Sequence, residues 1–454
     1  MRKVFIVIAL ITLAIGTGGW WLYTKIMPPP AEAAEADPRH AQLAGQFLDL
    51  LDAGRYADAL AMADDKMREV LDVKTLGETW ETLPKQLGAR TSRSAVRGER
   101  VGGMPALTST LVFPMMPLDA RVFFDEADRI SGFRLVPAQA ATAVAPAKLE
   151  QGANWREIEL AAGAGQDALP GTLTLPQGNG PFPAVVLVHG SGAHDRDETI
   201  GPNKPFRDLA HGLAGHGIAV LRYEKRTRVH PERFREQAFT VDDEVTFDAI
   251  AAVAALRARA DIDATRVFVA GHSLGAMMAP RIAARDAQLA GIVLLAAPAR
   301  ALEDMVPQQL RHIATLEGKS AAEIEAALAP VEQQRAVVKA LDAGVADATP
   351  LMLGLPASYW RSLAGHDPVA ASRSLALPLL VLQGGRDYQV TPADDFVRWR
   401  EAFADDPRAT LREYPLLGHL FMPGGDPPGP QDYLAEGHVD AGVIDDIAAW
   451  IKAH

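Results

Sequence analysis

The sequence predicts an α/β protein. A mostly parallel sheet with helices on both faces spans residues 153–454, and a helical insertion interrupts it at 299–376. A small α+β domain at 37–137 and an N-terminal apolar helix within residues 1–36 precede it. Three observations carry this reading. From Trp155 onward, short uninterrupted apolar runs alternate with segments of helical spacing, the pattern of strands buried on both faces. Residues 40–137 instead show helical patterning first and short extended runs afterwards, which points to a separate α+β unit. Between them, 138–152 is rich in Ala and Pro and reads as a linker.

The N-terminal end is charged only at Arg2 and Lys3 before an uncharged run from Val4 to Tyr23, followed by Lys25 and Pro28-Pro29-Pro30. About 20 apolar residues make a helix long enough to cross a bilayer, and longer than the core of most cleaved signals. Positive charge before the run keeps that end inside, so the remainder is expected on the periplasmic side, anchored in the cytoplasmic membrane. The A-x-A patterns at Ala31-Glu32-Ala33 and Ala34-Glu35-Ala36 leave release by signal cleavage as the alternative.

In the small domain, Phe47, Leu48, Leu50 and Leu51, then Tyr56, Leu60 and Met62, predict two short helices, and 76–87 a third. Strands are expected at 90–101, 106–113, 120–124 and 130–135, with Phe123, Phe124 and Phe133 as packing aromatics. In the larger region 157–160 and 172–175 form an opening hairpin. Strands follow at 184–188, 218–223, 267–270, 292–295, 379–382 and 410–414. Helices are expected at 206–215, 241–257, 274–284, 393–403 and 443–451. The insertion carries helical patterns at 321–328 and 331–341, with Met305, Met352, Tyr359 and Trp360 serving either an apolar acyl pocket or packing of the insertion itself.

Composition narrows the function. With 48% hydrophobic and 22% charged residues the chain is globular rather than disordered. A net charge of −12 without a long basic run makes it a poor nucleic-acid binder. The absence of cysteine excludes disulfides, thiolate metal sites and a cysteine nucleophile.

One constellation carries chemistry. Gly271-His-Ser-Leu-Gly275 lies between a predicted strand and a predicted helix, so Ser273 sits on a sharp turn that exposes its hydroxyl at the top of the sheet. A helix-capping serine is the plainer alternative. A serine nucleophile needs a base, and of the histidines after Ser273, His419 follows the last strand, with His366 and His438 as fallbacks. Asp387, after the strand at 379–382, suits the acid that orients that base. Asp394 and Asp395 are expected to open the next helix. The backbone N–H of Leu274 supplies one oxyanion donor. The loop after the strand at 184–188 supplies the second, with the Ser191 N–H the first choice and Gly192 next. His189 is expected to hold that loop, and Arg196, Asp197 and Glu198 to pair with Arg222, Glu224, Lys225 and Arg226.

These motifs resemble those of the α/β-hydrolase superfamily, and more narrowly of bacterial carboxylesterases carrying H-G-S-G-x-x-D-R-D-E and Q-G-x-R-D-Y-Q-V. This chain has His189-Gly-Ser-Gly-Ala-His-Asp-Arg-Asp-Glu198 and Gln383-Gly-Gly-Arg-Asp-Tyr-Gln-Val390. The resemblance implies a Ser273–His419–Asp387 triad and an N-terminal domain similar to nuclear transport factor 2. The expected activity is hydrolysis of a small-molecule carboxylic ester through an acyl-enzyme, with no metal or organic cofactor. A peptidase or amidase on the same triad is the second reading, with Glu303, Asp304 and Glu332 as candidates to hold a substrate amine. A non-catalytic envelope ligand-binding protein is the third.

Overall fold

The computed structural model describes residues 32–101, 104–113, 117–138, 148–234 and 237–454. The apolar run at 4–23 and linker residues 139–147 lie outside them. Among the described residues no helix is long and apolar enough to cross a membrane. The chain divides into two compact units, Met1–Ala140 and Ala141–His454.

In the first unit four helices, α1 (Pro38–Asp52), α2 (Tyr56–Ala61), α3 (Asp65–Val70) and α4 (Val73–Leu87), precede all but the first strand of the antiparallel sheet. Its strands run in the order β1 (Glu32–Ala34), β3 (Arg97–Val101), β4 (Met104–Val112), β5 (Leu118–Phe124), β6 (Ile130–Pro137), and β2 (Ser92–Arg93) also pairs with β4. Phe47, Leu48, Leu51, Leu76 and Leu83 from the helices pack on Leu107, Leu111, Leu118, Val122 and Leu135 of one sheet face. Phe133 joins this core edge-on to Phe47, whereas Phe123 packs with Val101 and Ala106 in a separate cluster. Helix α3 was not expected; Asp64 and Asp72 cap α3 and α4 through their side chains, and the Asp64 cap starts a short helix in a polar stretch. The run expected at 90–101 is broken because the Ser94 hydroxyl accepts the Thr110 N–H, a bond that a continuous ladder would give to backbone. The Glu32–Ala34 part of the A-x-A region pairs with Gly98–Arg100 as an edge strand.

The second unit is built on eight strands in the order β14 (Ala409–Tyr414), β13 (Leu379–Gly384), β12 (Gly291–Leu295), β11 (Ile262–His272), β9 (Phe182–Val188), β10 (Ala219–Tyr223), β8 (Gly171–Pro176), β7 (Trp155–Glu159). Strands β9 to β14 are parallel, and β7 and β8 close one edge antiparallel. Val185, Val186, Leu187, Phe268, Val269, Val293 and Leu294 are fully buried, as expected for a sheet covered on both faces. The covering helices include α5 (Pro205–Gly215), α7 (Phe247–Arg257), α8 (Leu274–Arg285), α13 (Val397–Ala402) and α14 (Ala441–Ala453), and the short α6 (Arg226–Val229) follows β10. The helices expected at 241–257 and 393–403 both open with a wider turn, at Asp242–Thr246 and Pro392–Phe396.

The insertion holds α9 (Leu302–Leu316), α10 (Ala321–Lys339), α11 (Ala357–Leu363) and α12 (Pro368–Arg373). The two helices expected at 321–328 and 331–341 are one. A Ser320–Glu323 capping box starts α10, and Pro330 frees a carbonyl on an exposed stretch where water can satisfy it. Met305, Met352, Tyr359 and Trp360 are all buried, and the Trp360 indole donates to the Met352 carbonyl. They pack the insertion.

Candidate active site

Strands β9 and β11 are adjacent, with Gly271 opposite Val188. The turns that leave them, His189–Gly192 and His272–Ser273, therefore emerge side by side at the carboxyl edge of the sheet, where open α/β folds bind ligands. Ser273 holds φ 53° and ψ −115° and precedes α8. Its N–H donates to Leu295 on β12, and its side chain makes no capping bond to the helix, which removes the capping alternative. The two motif glycines are required for closeness. A Cβ on Gly275 would stand 2.1 Å from the Val188 carbonyl oxygen, and one on Gly271 2.2 Å from the Gly275 oxygen. Gly275 lets the elbow press against β9, and Gly271 lets the strand and the helix after Ser273 close on each other.

Asp387 and His419 come together from loops after β13 and β14. The Asp387 Oδ2 accepts from His419 Nδ1 at 2.7 Å. Its Oδ1 accepts the backbone N–H groups of Gln389 and Val390, so the carboxylate is fixed from both sides. The two loops are joined by the Arg386 N–H to the Leu417 carbonyl. A Cβ on Gly384 would meet the Gly418 oxygen at 2.4 Å, so the glycine pair after β13 is what lets the histidine loop approach. With Nδ1 committed to Asp387, the His419 Nε2 is left as the basic nitrogen. The other histidines are engaged elsewhere: His366 with the Met277 carbonyl, His312 with the Pro428 carbonyl, and the exposed His438 with Asp208.

His272 connects the serine elbow to His419. Its Nε2 lies 3.0 Å from the His419 carbonyl oxygen, its Nδ1 lies 3.0 Å from Glu198 Oε2, and the two rings are 4.6 Å apart. The Nδ1 contact with Glu198 is an ion-pair approach without hydrogen-bond alignment, and a carboxylate at that distance favours the charged ring. Burial opposes that charge, but the Glu198 carboxylate prevails and raises the His272 pKa. Burial also opposes charge on Glu198, yet His272 brings its carboxyl down to about 2.

The turn after β9 is held at each end. His189 is buried, its Nε2 at 3.0 Å from the Asp195 carbonyl, and burial pushes its pKa down to about 3. Arg196 pairs with Glu224 and Asp197 with Arg222, as the charge pattern predicted; Asp197 is also held by Lys204, and Arg226 pairs with Asp248 instead, neither of which was expected. Glu198 departs from the pattern too. It turns inward with φ 51° and accepts the Gly190 N–H at 2.5 Å, beside His272, while the basic residues of the run are taken by other carboxylates: Arg222 by Asp197, Lys225 by Glu244 and Arg226 by Asp248. Lys225 also turns inward, donating to the Gly190 carbonyl at 2.7 Å and pairing with Glu244. Gly190 lies against the serine: a Cβ on it would be 3.2 Å from Ser273 Cβ. Neither the Ser191 nor the Leu274 N–H has a hydrogen-bond partner among the described residues.

A cleft beside His419 is lined by Tyr388, Leu420, Met422 and Tyr433. A larger, charged cleft lies on the insertion and includes Arg300, Glu303, Asp304, Glu332 and Arg335, but neither Ser273 nor His419. Asp304 is engaged by Arg335 and Lys339, and Glu332 by Arg335. Asp395 does not simply favour a helix start: it is buried in a two-oxygen contact with Arg300. Among the described residues no group of acidic and histidine side chains could hold a metal ion.

This sheet order, with a strained serine between β11 and α8 and an Asp–His pair after β13 and β14, defines an α/β-hydrolase. Residues 180–424 match the Hydrolase_4 family model, described as serine aminopeptidase, S33. Residues 44–133 match a family described as a protein of unknown function, DUF3887. Esterase EstD of Thermotoga maritima is 35% identical over 405 residues, covering 89% of this chain and 93% of its own. Among solved structures, a putative dienelactone hydrolase from Klebsiella pneumoniae shares 18% identity (TM-score 0.39; 66% of this chain, 98% of that one). Est1E from Butyrivibrio proteoclasticus shares 14% (TM-score 0.41; 65% and 99%). The chain belongs to the Hydrolase_4 family. It is a carboxylesterase-like hydrolase with a nuclear-transport-factor-2-like N-terminal domain.

Proposed function

We propose that the protein cleaves small carboxylic esters by nucleophilic catalysis, with Ser273, His419 and Asp387 as the triad. The observation that carries this is the Asp387–His419 hydrogen bond at 2.7 Å on the sheet edge that also presents the Ser273 elbow. His419 takes the Ser273 proton as the hydroxyl attacks the ester carbonyl, then returns it to the leaving alcohol. The N–H groups of Leu274 and Ser191 stabilise the oxyanion. Water, deprotonated by the same histidine, then hydrolyses the acyl-enzyme. Peptide or amide cleavage is the second reading, favoured by the family description. Against it, Asp304 and Glu332 are tied to basic side chains of the insertion rather than offered to a substrate amine.

The reading includes an extracytoplasmic location, with the uncharged run at 4–23 holding the chain to the cytoplasmic membrane. Protease treatment of intact spheroplasts is expected to digest the hydrolase; protection would overturn that placement. For the chemistry, the full-length chain is assayed on p-nitrophenyl esters of increasing chain length, with Ser273→Ala in parallel. Turnover and fluorophosphonate labelling are expected to vanish in the variant. Ester turnover surviving in Ser273→Ala would overturn the triad. Labelling of the parent without ester turnover would favour the amide reading.

A further inference from the structure

The Gly190–Ser191 peptide unit is gripped by a buried ammonium. The Lys225 Nζ donates to the Gly190 carbonyl at 2.7 Å, at a site where Lys225 is 2% exposed. The same nitrogen is 2.6 Å from Glu244 Oε1, and the other Glu244 oxygen accepts from Tyr359 on α11 of the insertion at 2.7 Å. A buried lysine is costly unless paired, so this arrangement has to be maintained by its partners. On the same residue, the Gly190 N–H is taken by Glu198. Both polar groups of Gly190 are thus bound by buried charged side chains, from β9's own loop on one side and from the turn after β10 on the other.

The Gly190–Ser191 bond is trans, so the Ser191 N–H points opposite to the carbonyl that Lys225 holds. A cation on the carbonyl oxygen polarises the whole peptide group and increases the positive character of its N–H. Gly190 stands against Ser273, so the orientation of this peptide sets where that N–H is aimed relative to the nucleophile.

We propose that Lys225 is a positioning residue for catalysis: by gripping the Gly190 carbonyl it aims and polarises the Ser191 N–H as oxyanion donor, with Glu244 and Tyr359 linking that grip to the insertion. The inference rests on the reading of Ser191 as a donor in ester cleavage. It assigns Lys225 no contact with substrate. Its effect belongs to the transition state, because the N–H meets full negative charge only when the carbonyl carbon becomes tetrahedral.

The test uses the full-length chain carrying Lys225→Met, Lys225→Arg, or Lys225→Met together with Glu244→Gln, with Ser273→Ala alongside. The double variant removes both charges and remains informative if the single one fails to fold. Substrate is p-nitrophenyl butyrate, and a trifluoromethyl ketone serves as the tetrahedral mimic. For Lys225→Met or the double variant, kcat is expected to fall about ten- to a hundred-fold, below the about hundred- to thousand-fold cost of deleting a donor outright. KM should stay within about threefold, and trifluoromethyl ketone affinity should fall in step with kcat/KM. Lys225→Arg, which keeps a cation on the carbonyl, should recover most of the loss. A folded Lys225→Met or double variant with parental kcat and ketone affinity, while Ser273→Ala is dead, would overturn the inference and leave the esterase reading standing. Parental activity in Ser273→Ala would instead remove the reading on which it rests.

Discussion

Ser273 has φ 53° and ψ −115°, a conformation that costs an L-residue about 1–3 kcal/mol. The strain is stored because the hydroxyl must clear the sheet edge, and it yields a distinguishing prediction. At ordinary positions glycine is less stable than alanine; here Ser273→Gly should be more stable than Ser273→Ala by about 1 kcal/mol, both being inactive. Denaturant midpoints of the two variants measure this, and the reverse order would show the elbow to be unstrained. Gly275→Ala behaves oppositely. Its Cβ would be 2.1 Å from the Val188 oxygen, a backbone clash that no rotamer relieves, so a loss above about 3 kcal/mol or failure to accumulate is expected. The residues of the motif strings were legible because their spacing is tied to strand ends. Glu198, Lys225, His272 and Glu244 were not recognised as site residues. A charged residue in sequence carries no sign of a buried partner contributed by another element; the one available signal was that Glu198 and His272 lie inside the motif strings, and Lys225 and Glu244 had none.

At the scale of elements, continuous apolar strands were readable because both faces are buried, so hydrophobicity alone marks them. The helices were less so. The helix region 241–257 buries Asp242, Glu244 and Asp248 and leaves Phe247 half-exposed. Arg281 and Arg285 on α8 neutralise Asp242, Lys225 neutralises Glu244, and Arg226 neutralises Asp248. A period count of apolar residues cannot find such a face. Similarly, the wider turn at Pro392–Phe396 is held by Asp395, which receives the Ala299 N–H at 2.9 Å and two bonds from Arg300. That contact ties the start of α13 to the exit of β12, which pairs with β13, the strand leading to Asp387. Asp395→Ala leaves Arg300 largely buried without its main partner, and unpairing a buried charge costs about 3–5 kcal/mol. The expected outcome is a drop of that size in unfolding free energy; a change below about 1 kcal/mol would show that Gln308 and Asp394, also near Arg300, suffice.

For the molecule as a whole, the buried charges of the hydrolase unit set how stability depends on pH. Glu198 titrates at about 2 in the fold against 4.5 for the free group. A carboxyl lowered on folding gives stability that is present above its unfolded value and is lost as pH falls from about 4.5 through about 2. His189 titrates at about 3 against 6.5: the unfolded chain takes up its proton first, so stability also declines as pH falls from about 6.5 toward 3. His272 has the opposite sign. Its pKa is raised by Glu198, so its contribution is complete below about 6.5 and is lost as pH rises through the higher folded value. The chain should therefore be most stable near neutral pH, with an acid limb that begins close to 6.5 because of buried histidines, His194 and His366 adding to His189 since burial lowers their pKa too, well before carboxylates protonate. Glu198→Gln separates the contributions. The amide can still accept the Gly190 N–H and can donate to a neutral His272, so geometry is kept while the charge pair is removed. Calorimetric melting across pH 3–9 should show the Glu198→Gln variant with a shallower fall below pH 4.5 and a flatter alkaline side, and with the 6.5-to-3 decline of His189 still present. Unchanged slopes on both limbs would mean that the Glu198–His272 pair is not ionised in the fold.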